Sequence, residues 1–276
     1  MLDSNLGLVD PTVQIGSQGA IANRGDTVPA VVRITDNAKD LLSADFTIAY
    51  DTSRLSLSDS DVTISPYLSS QGFLLTESLD NANSIVSVHL SSSTALTDGT
   101  PDLFTLAFHV QTDALAGTLP LTIVMNGTSP SQLNHGSLEL SPINGSIVVP
   151  VGVAITPDTS NTDAEGSPLT LNSSILGQTG TVTYAWTVTK DGNTYSVTNN
   201  TASTFTFVPD DNATYITTLN VNDSDGNVGN SIQTTTVNNV SPTAVLGNNG
   251  PVDEGSPATV SFSGASDPSN TDTAAG

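Results

Sequence analysis

The fold of this chain is decided by residues 44–55, which read Ala44-Asp45-Phe46-Thr47-Ile48-Ala49-Tyr50-Asp51-Thr52-Ser53-Arg54-Leu55. In this stretch Phe46, Ile48 and Tyr50 alternate with smaller or more polar residues. Successive side chains of a β-strand point to opposite faces of its sheet, so this alternation predicts a strand with one buried face. The following Asp-Thr-Ser predicts a turn, because such side chains bond to nearby backbone.

The same period of two recurs on both sides of this strand, throughout residues 1–150. Each run is bounded by Gly, Asp, Asn or Ser, which are turn residues. Several strands with one buried face each indicate an all-β sandwich. The predicted core positions are Val28, Ala30, Val32, Ile34, Phe46, Ile48, Tyr50, Val86, Val88, Leu90, Phe104, Leu106, Phe108, Val110, Leu119, Leu121 and Ile123.

Five motifs in this region resemble the cohesin family in type, order and approximate spacing. They are Gly25–Val28 with the strand that follows, Ala44–Leu55, Leu103–Val110, Ala114–Gly117 and Asn144–Val148. Each motif is a strand followed by a turn, which is common in β-proteins. The resemblance to the family therefore depends on the order and spacing of the five motifs. The resemblance implies a jelly-roll β-sandwich with no catalytic activity.

The resemblance also implies a docking face. In cohesins one flat sheet face receives a dockerin, a small calcium-loaded helical module carried by another protein, often a polysaccharide-degrading enzyme. Asp45 matches the position of an acidic contact residue in the family, and Ser43 matches a position that is often Asn. Since their neighbours pack inward, the candidate docking residues are Ser43, Asp45, Thr47, Ala49, Ser87 and His89. The alternative is that these are ordinary solvated strand residues.

A long internal repeat defines the second half of the chain. Glu165-Gly166-Ser167-Pro168 returns 89 residues later as Glu254-Gly255-Ser256-Pro257. A repeat of this length predicts tandem modules. The second copy is incomplete, since no equivalent of Trp186 follows Glu254. A sandwich without most of its strands cannot bury its apolar face, so we expect this copy to be poorly ordered or loosely docked.

Residues 151–240 resemble a PKD domain, an immunoglobulin-like β-sandwich. Apolar and hydroxyl residues alternate from Val182 to Val188, Asp191-Gly192 predicts a hairpin turn, and Tyr215 resembles a tyrosine corner. The residues after Trp186 depart from the family's Trp-x-Phe-Gly-Asp-Gly pattern. The predicted organisation is an N-terminal tail at 1–10, a cohesin-like domain at 11–150, a PKD-like domain at 151–240 and a truncated second PKD-like copy at 241–276.

The composition excludes several partners. Asp and Glu number 27 against 5 Lys and Arg, which gives a formal net charge of -22. Such a surface repels phosphate groups, so nucleic acid and anionic membrane partners are not expected. No run approaches the roughly 18 apolar residues of a membrane span, and residues 1–11 lack the features of a signal peptide. If the protein is secreted, we expect its signal or anchor outside this sequence.

Catalytic chemistry has little support in the sequence. The three histidines are His89, His109 and His135, and period two directs the first two away from the core. A Ser-His-Asp triad or zinc site is therefore not predicted. A glycosidase needs two carboxylates beside one bond, which spacing alone leaves open. However, the acids stand mostly in turn contexts, where solvent keeps them ionised. We therefore expect that this chain is not an enzyme.

Calcium is the one ion that the composition invites, although no cofactor is required. Asp210-Asp211 and Asp223-x-Asp225 place carboxylates close together, the latter beside Gly226. The second motif lacks the downstream Glu of an EF-hand loop, and turn chemistry alone explains it equally well.

These observations predict a non-catalytic extracellular or cell-surface binding protein. Its cohesin-like module would dock dockerin-bearing proteins in polysaccharide-degrading or surface complexes, with the PKD-like modules as spacers. The alternative is an adhesin that binds surface polysaccharide directly. Flat exposed aromatics normally serve that purpose. Trp186, the single tryptophan, is predicted to lie in a core, so sugar binding would depend on Asn, Asp and Tyr.

Overall fold

The computed structural model of the chain describes residues 10–97 and 99–275. The predicted tail at residues 1–10 lies outside the described residues, apart from Asp10. The protein is all-β, as predicted, and divides into two compact units, Met1–Pro150 and Val151–Gly276. Among the described residues, no helix combines the length and apolar character needed to cross a bilayer.

The first unit consists of strands joined by turns and short helical segments. Its strands are β1 (Thr12–Ile15), β2 (Gln18–Ile21), β3 (Thr27–Ile34), β4 (Ser43–Ala49), β5 (Leu55–Ser56), β6 (Val62–Ile64), β7 (Leu74–Asp80), β8 (Ile85–Ser91), β9 (Asp102–Val110), β10 (Gly117–Ile123), β11 (Gln132–Leu133), β12 (Ser141–Ile143) and β13 (Gly145–Val149). Helix α1 spans Pro66–Ser70, and 3-10 turns span Asp59–Asp61 and Asn134–Gly136.

These strands form two sheets. The first has the order β12-β1-β3-β9-β5, with β6 also paired to β9. The second has the order β2-β13-β10-β4-β8-β7, with β11 also paired to β4. Strand β4, which carries the stretch that opened the sequence analysis, is therefore central in the second sheet.

The core lies between the two sheets. Aromatic pairs connect them, since the rings of Phe46 and Phe104 are 5.4 Å apart and those of Tyr50 and Phe108 are 5.1 Å apart. Every core position predicted from the period of two is buried. Burial of one face of each strand is the dominant stabilising contribution in such a sandwich. The prediction of a β-sandwich for this region is confirmed.

The second unit contains three further sheets. Its strands are β14 (Gly152–Pro157), β15 (Leu169–Leu176), β16 (Val182–Lys190), β17 (Asn193–Tyr195), β18 (Thr204–Phe207), β19 (Thr214–Asp223), β20 (Val228–Thr236), β21 (Thr243–Asn248) and β22 (Val260–Ser266), and helix α2 spans Asn270–Ala275. The sheet orders are β14-β15-β18, β17-β16-β19-β20 and β21-β22.

Aromatic residues pack the first two of these sheets together. Trp186 of β16 is fully buried and stacks on Phe205 of β18 with 5.3 Å between ring centroids. The hydroxyl of Tyr215 donates to the backbone oxygen of Asp211 at 3.0 Å, which confirms the predicted tyrosine corner. Asp191 has a positive φ of 48° in the β16-β17 turn, as a tight Asp-Gly hairpin requires.

The final segment is more structured than the sequence predicts. Strands β21 and β22 form an antiparallel hairpin, and the side chains of β22 are exposed throughout. After the hairpin, Ser269 is fully buried against the rest of the second unit. Hydrogen bonds within a hairpin give this segment order without a core of its own. The division into modules at 151–240 and 241–276 stays a prediction.

Candidate protein-docking face

Strand register places all six predicted docking residues on one face of the second sheet. Asp45 of β4 lies directly opposite His89 of β8, and Thr47 lies opposite Ser87. Residues directly opposite in an antiparallel pair share a face. We call this surface the outer face. It comprises Ser43, Asp45, Thr47 and Ala49 of β4, Ile85, Ser87, His89 and Ser91 of β8, and Leu74, Thr76, Ser78 and Asp80 of β7.

A small polar cluster lies at the centre of the outer face. His89 Nδ1 is 2.7 Å from Asp45 Oδ1, and Gln132 Nε2 donates to Asp45 Oδ2 at 3.0 Å. His135 Nδ1 is 4.0 Å from the same Oδ2. Burial raises the pKa of Asp45, but the hydrogen bonds from His89 and Gln132 outweigh it and hold this pKa below its ordinary value. Asp45 is therefore an oriented carboxylate.

Two of the predicted residues are not available to a partner. Thr47 and Ser43 are each only 7% exposed. The Thr47 hydroxyl donates to the backbone oxygen of Ser129 at 2.7 Å, and its backbone N–H donates to Ser131 Oγ at 3.0 Å. The expectation that Thr47 and Ser43 are exposed is wrong, because the chain between β10 and β11 passes over this part of β4. Period two identifies a face but not what covers it.

The end of β4 near Ser43 is held in the same way. Asn134 Oδ1 accepts the backbone N–H groups of Leu42 and Ser43 at 2.8 and 2.9 Å. Its side-chain nitrogen donates to the backbone oxygen of Asp40 at 2.7 Å. These bonds fix the segment after β11 against β4. The remaining predicted residues, Asp45, Ala49, Ser87 and His89, are half-buried.

Sequence reasoning missed two members of the polar cluster. Gln132 and His135 come from the segment after β10, far from β4 in the sequence, and His135 adopts a positive φ of 57°. The adjacent Asn134 and Gly136 are a turn signal, which could have indicated a left-handed turn here. Its position beside Asp45 depends on tertiary pairing of β11 with β4.

A shallow cavity and an exposed apolar residue adjoin the cluster. The cavity of about 250 Å³ is lined by the segment after β10, including Met125, Gln132 and Leu138. Leu74 of β7 is 73% exposed on the outer face, two strands away from β4. The outer face thus combines a charged centre with one strongly exposed apolar residue, Leu74, on its edge strand.

The predicted calcium ligands do not form one group. Asp223 is buried, and its two carboxylate oxygens accept five hydrogen bonds from Thr179, Asp225 and Asn227. These bonds hold the pKa of Asp223 far below its ordinary value, although burial opposes them. Asp225 is exposed in the same turn. Three of the five bonds are the turn chemistry considered above, and Thr179 adds two from a distant part of the chain.

The second predicted pair, Asp210 and Asp211, is bridged by the ammonium group of Lys190. Asp210 accepts from Lys190 Nζ and from the Tyr215 hydroxyl, both at 3.0 Å. Asp211 Oδ2 also accepts from Lys190, at 3.2 Å. Within the described part of the chain, the acids that approach one another closely enough to share a metal ion are Glu165, Asp211 and Asp272.

His109 lies outward on the other sheet, as predicted. Its Nε2 is 3.0 Å from Asp61 Oδ1, and its Nδ1 is 2.8 Å from Thr27 Oγ1. His89 and His109 therefore belong to separate surfaces, one on each sheet. Each is paired with a carboxylate that orients its ring.

The fold of the first unit is that of a two-sheet β-sandwich module. Residues 11–149 match the family model of the cohesin domain, and the chain belongs to this family. Cohesin domains are non-catalytic binding modules. The match ends where the second unit begins, and the second unit is described by its β-sheets alone.

Solved structures similar to this chain include other cohesins. A solution structure of a cohesin from Clostridium acetobutylicum is 22% identical, with a TM-score of 0.41, and the match covers 51% of this chain and 92% of that one. A type I cohesin–dockerin complex from Clostridium thermocellum is 20% identical, with a TM-score of 0.40, covering 50% and 99%. The third ScaC cohesin of Acetivibrio cellulolyticus, in complex with the ScaB dockerin, is 17% identical, with a TM-score of 0.41, covering 50% and 98%. Comparison with curated proteins gives no match.

Proposed function

We propose that the cohesin module of this chain binds a dockerin-type module of another protein through the outer face. The observation that carries this proposal is the oriented carboxylate of Asp45, held by His89 and Gln132 at the centre of that face. A carboxylate fixed by neighbouring side chains loses little conformational freedom when a partner binds it. Family membership supports the class of partner.

The covered part of β4 shifts the proposed contact surface toward β8 and β7. Thr47 and Ser43 are buried, whereas Thr76 and Ser78 of β7 are exposed. Leu74 supplies an exposed apolar contact at the β7 edge of the face. A partner with a basic or amide-bearing helix surface and a small apolar knob would match this face. Its contacts would reach Asp45 from the β7 side.

We propose a spacing role for the second unit and an extracellular location for the chain. The second unit resembles a PKD-like module in its tryptophan core and tyrosine corner, and the repeat beginning at Glu165 suggests serial modules. Abundant Asp with few basic residues keeps such modules soluble and apart from one another. Cohesin modules typically belong to extracellular scaffolds, which supports this location.

Binding of the purified chain to a panel of dockerin modules in calcium-containing buffer, measured by titration calorimetry, tests the proposal. Asp45→Lys reverses the charge at the centre of the outer face and should weaken binding by at least about tenfold. The matched control is Asp113→Lys, an exposed acid in the turn between β9 and β10. An equal loss of dockerin affinity in both variants would show that Asp45 does not contact the dockerin.

A glycan array on the same protein examines the alternative function. Binding to a polysaccharide that persists in the presence of excess dockerin would favour a direct adhesin. The proposal is rejected if the folded chain binds no dockerin of the panel and does bind a glycan.

A further inference from the structure

Three carboxylates from distant parts of the sequence converge in the second unit, and a fourth lies nearby. One oxygen each from Glu165, Asp211 and Asp272 lie within 4.8 Å of one another. Asp267 is near enough to affect Asp272, whose pKa is raised first by burial and then by the charges of Glu165, Asp211 and Asp267. Like charges this close repel strongly where water is partly excluded. The cluster therefore needs positive charge.

The basic side chains of the protein supply little of the positive charge that this cluster needs. Lys190 donates to Asp210 and to Asp211 Oδ2 at 3.0 and 3.2 Å. Among the described residues, this leaves Glu165 and Asp272 without a cationic partner. Folding one acidic segment onto another in this way is unfavourable unless something else neutralises them.

Glu165 is the member that points most clearly to a ligand. It is only 1% exposed, and its Oε1 accepts the backbone N–H of Val240 at 2.8 Å. Its Oε2 is buried and has no hydrogen-bond partner. Asp267 Oδ2 is likewise buried without a partner. A carboxylate oxygen removed from water without a hydrogen-bond donor is strongly unfavourable. Two such oxygens beside one cluster are the environment that a bound cation satisfies.

The segment that brings Asp267 and Asp272 is closely seated. Ser269 is fully buried, and its hydroxyl donates to Asp211 Oδ1 at 3.1 Å. Pro268 lies so near Gly166 that a Cβ at position 166 would come within 2.5 Å of the Pro268 Cβ. A side chain at 166 would displace the segment, so the two surfaces are fitted to each other.

The side-chain amide of Asn239 also lies against the carboxylate cluster. With its amide nitrogen turned inward it donates to Asp272 Oδ2 at 2.7 Å and to Glu165 Oε1 at 3.2 Å. A half-turn of the same amide would present its carbonyl oxygen instead. Amide and carboxylate oxygens are the ligands that calcium prefers. One side chain can therefore serve the cluster with or without an ion.

We propose that Glu165, Asp211 and Asp272 form a calcium site, with Asp267 and Asn239 as further ligands, and that the ion fixes the segment 267–272 to the module that contains Glu165. Calcium accepts six to eight oxygen ligands in flexible geometry, which suits a cluster assembled from several loops. Magnesium requires stricter octahedral geometry and retains water, so this site favours calcium. The site differs from the Asp223–Asp225 turn.

The ligands of the proposed site come from both copies of the repeat that begins at Glu165. In the register that aligns Glu165 with Glu254, the positions matching Asp267 and Asp272 in the first copy are Gln178 and Thr183. The first copy thus holds Glu165 and Asp211, and the second copy supplies Asp267 and Asp272. The proposed ion joins successive copies.

Calcium titration of the full chain, after removal of divalent ions with a chelator, tests the site. We expect one ion per chain by calorimetry, and slower hydrogen exchange in residues 267–275 when calcium is present. Glu165→Gln and Asp272→Asn should each weaken binding at least about tenfold, since each removes one ligand charge. Asp225→Asn, in the exposed turn, is the control and should leave the affinity unchanged. Magnesium at equal concentration should bind more weakly.

Asp272→Asn keeps the test decisive if Glu165→Gln fails to fold, because residue 272 lies beyond all the sandwich strands. The proposal is overturned if millimolar calcium produces neither heat nor protection. It is also overturned if Asp272→Asn and Glu165→Gln bind as well as the parent chain, or if Asp225→Asn alone loses the ion. No dockerin is present in these measurements, so their outcome is separate from that of the docking experiment.

Discussion

His89 Nδ1 lies 2.7 Å from Asp45 Oδ1 and joins the neighbouring strands β4 and β8 across the outer face. Because the two residues are directly opposite in the register, the bond needs no distortion of either strand. Gln132 holds the other oxygen of Asp45 at 3.0 Å. The centre of the proposed docking face is therefore part of the sheet's own bonding, and a change there affects stability as well as recognition.

The first prediction concerns stability in acid. The folded-state pKa of Asp45 is below its ordinary value, so its contribution is fully present above about pH 4 and is lost as the pH falls through the lower folded pKa. Asp45→Asn should therefore unfold at a temperature that depends less on pH between pH 2 and 5. Calorimetry of the full chain measures this. An unchanged pH profile in the variant would show that Asp45 gains nothing from its partners.

The second prediction separates a covered threonine from an exposed one. Thr47→Val removes the hydroxyl that donates to the Ser129 backbone oxygen, and should lower the free energy of unfolding by about 1 kcal/mol. It should also speed hydrogen exchange around residues 125–131. Thr76→Val, on the exposed part of the same face, is the matched control and should change stability by less than about 0.5 kcal/mol. Equal effects would contradict the covering segment.

These two residues also show how far the sequence can be read. Period two identified the strands, the core and the face that carries Thr47 and Asp45, because alternation follows directly from strand geometry. It could not reveal that the segment around Ser129 crosses that face, since turn residues fix where a chain leaves a strand but not what it covers.

The clusters were harder to predict for the same reason. Gln132 and His135 reach Asp45, and Asp272 approaches Glu165, only through pairing between distant segments. Asp223 was different in part, because two of its three partners, Asp225 and Asn227, are its sequence neighbours, whereas the third, Thr179, is distant and was not predicted. Hydrogen bonds within a turn could therefore be predicted from the sequence, whereas clusters of side chains from distant segments could not.

The third prediction uses the single tryptophan. Trp186 is fully buried, stacks on Phe205 and donates from Nε1 to the Ala202 backbone oxygen at 2.8 Å. Its fluorescence should therefore shift to longer wavelength when the second unit unfolds, and should not respond to unfolding of the first. Trp186→Ala should destabilise the second unit by about 3–5 kcal/mol.

Urea titration followed by fluorescence, compared with circular dichroism of the whole chain, checks the assignment. Phe104→Leu, a core change in the first unit, is the control. It should move the circular dichroism transition and leave the fluorescence midpoint in place. A fluorescence midpoint that follows Phe104→Leu would show that the two units unfold as one.

The last prediction decides between two interpretations of Asp223. Its oxygens already accept five hydrogen bonds, three from Asp225 and Asn227 in the turn and two from the distant Thr179, so its pKa lies far below the ordinary value and its contribution should persist in mild acid. Asp223→Ala should lower the urea midpoint of the second unit clearly, and Asp225→Ala, in the same turn but exposed, should not. If the turn instead held calcium, both substitutions would weaken calcium binding, and added calcium would raise the midpoint of the parent chain more than that of either variant. Because the bonds of Asp223 are complete without an ion, we expect its replacement to change stability and to leave calcium affinity as it is.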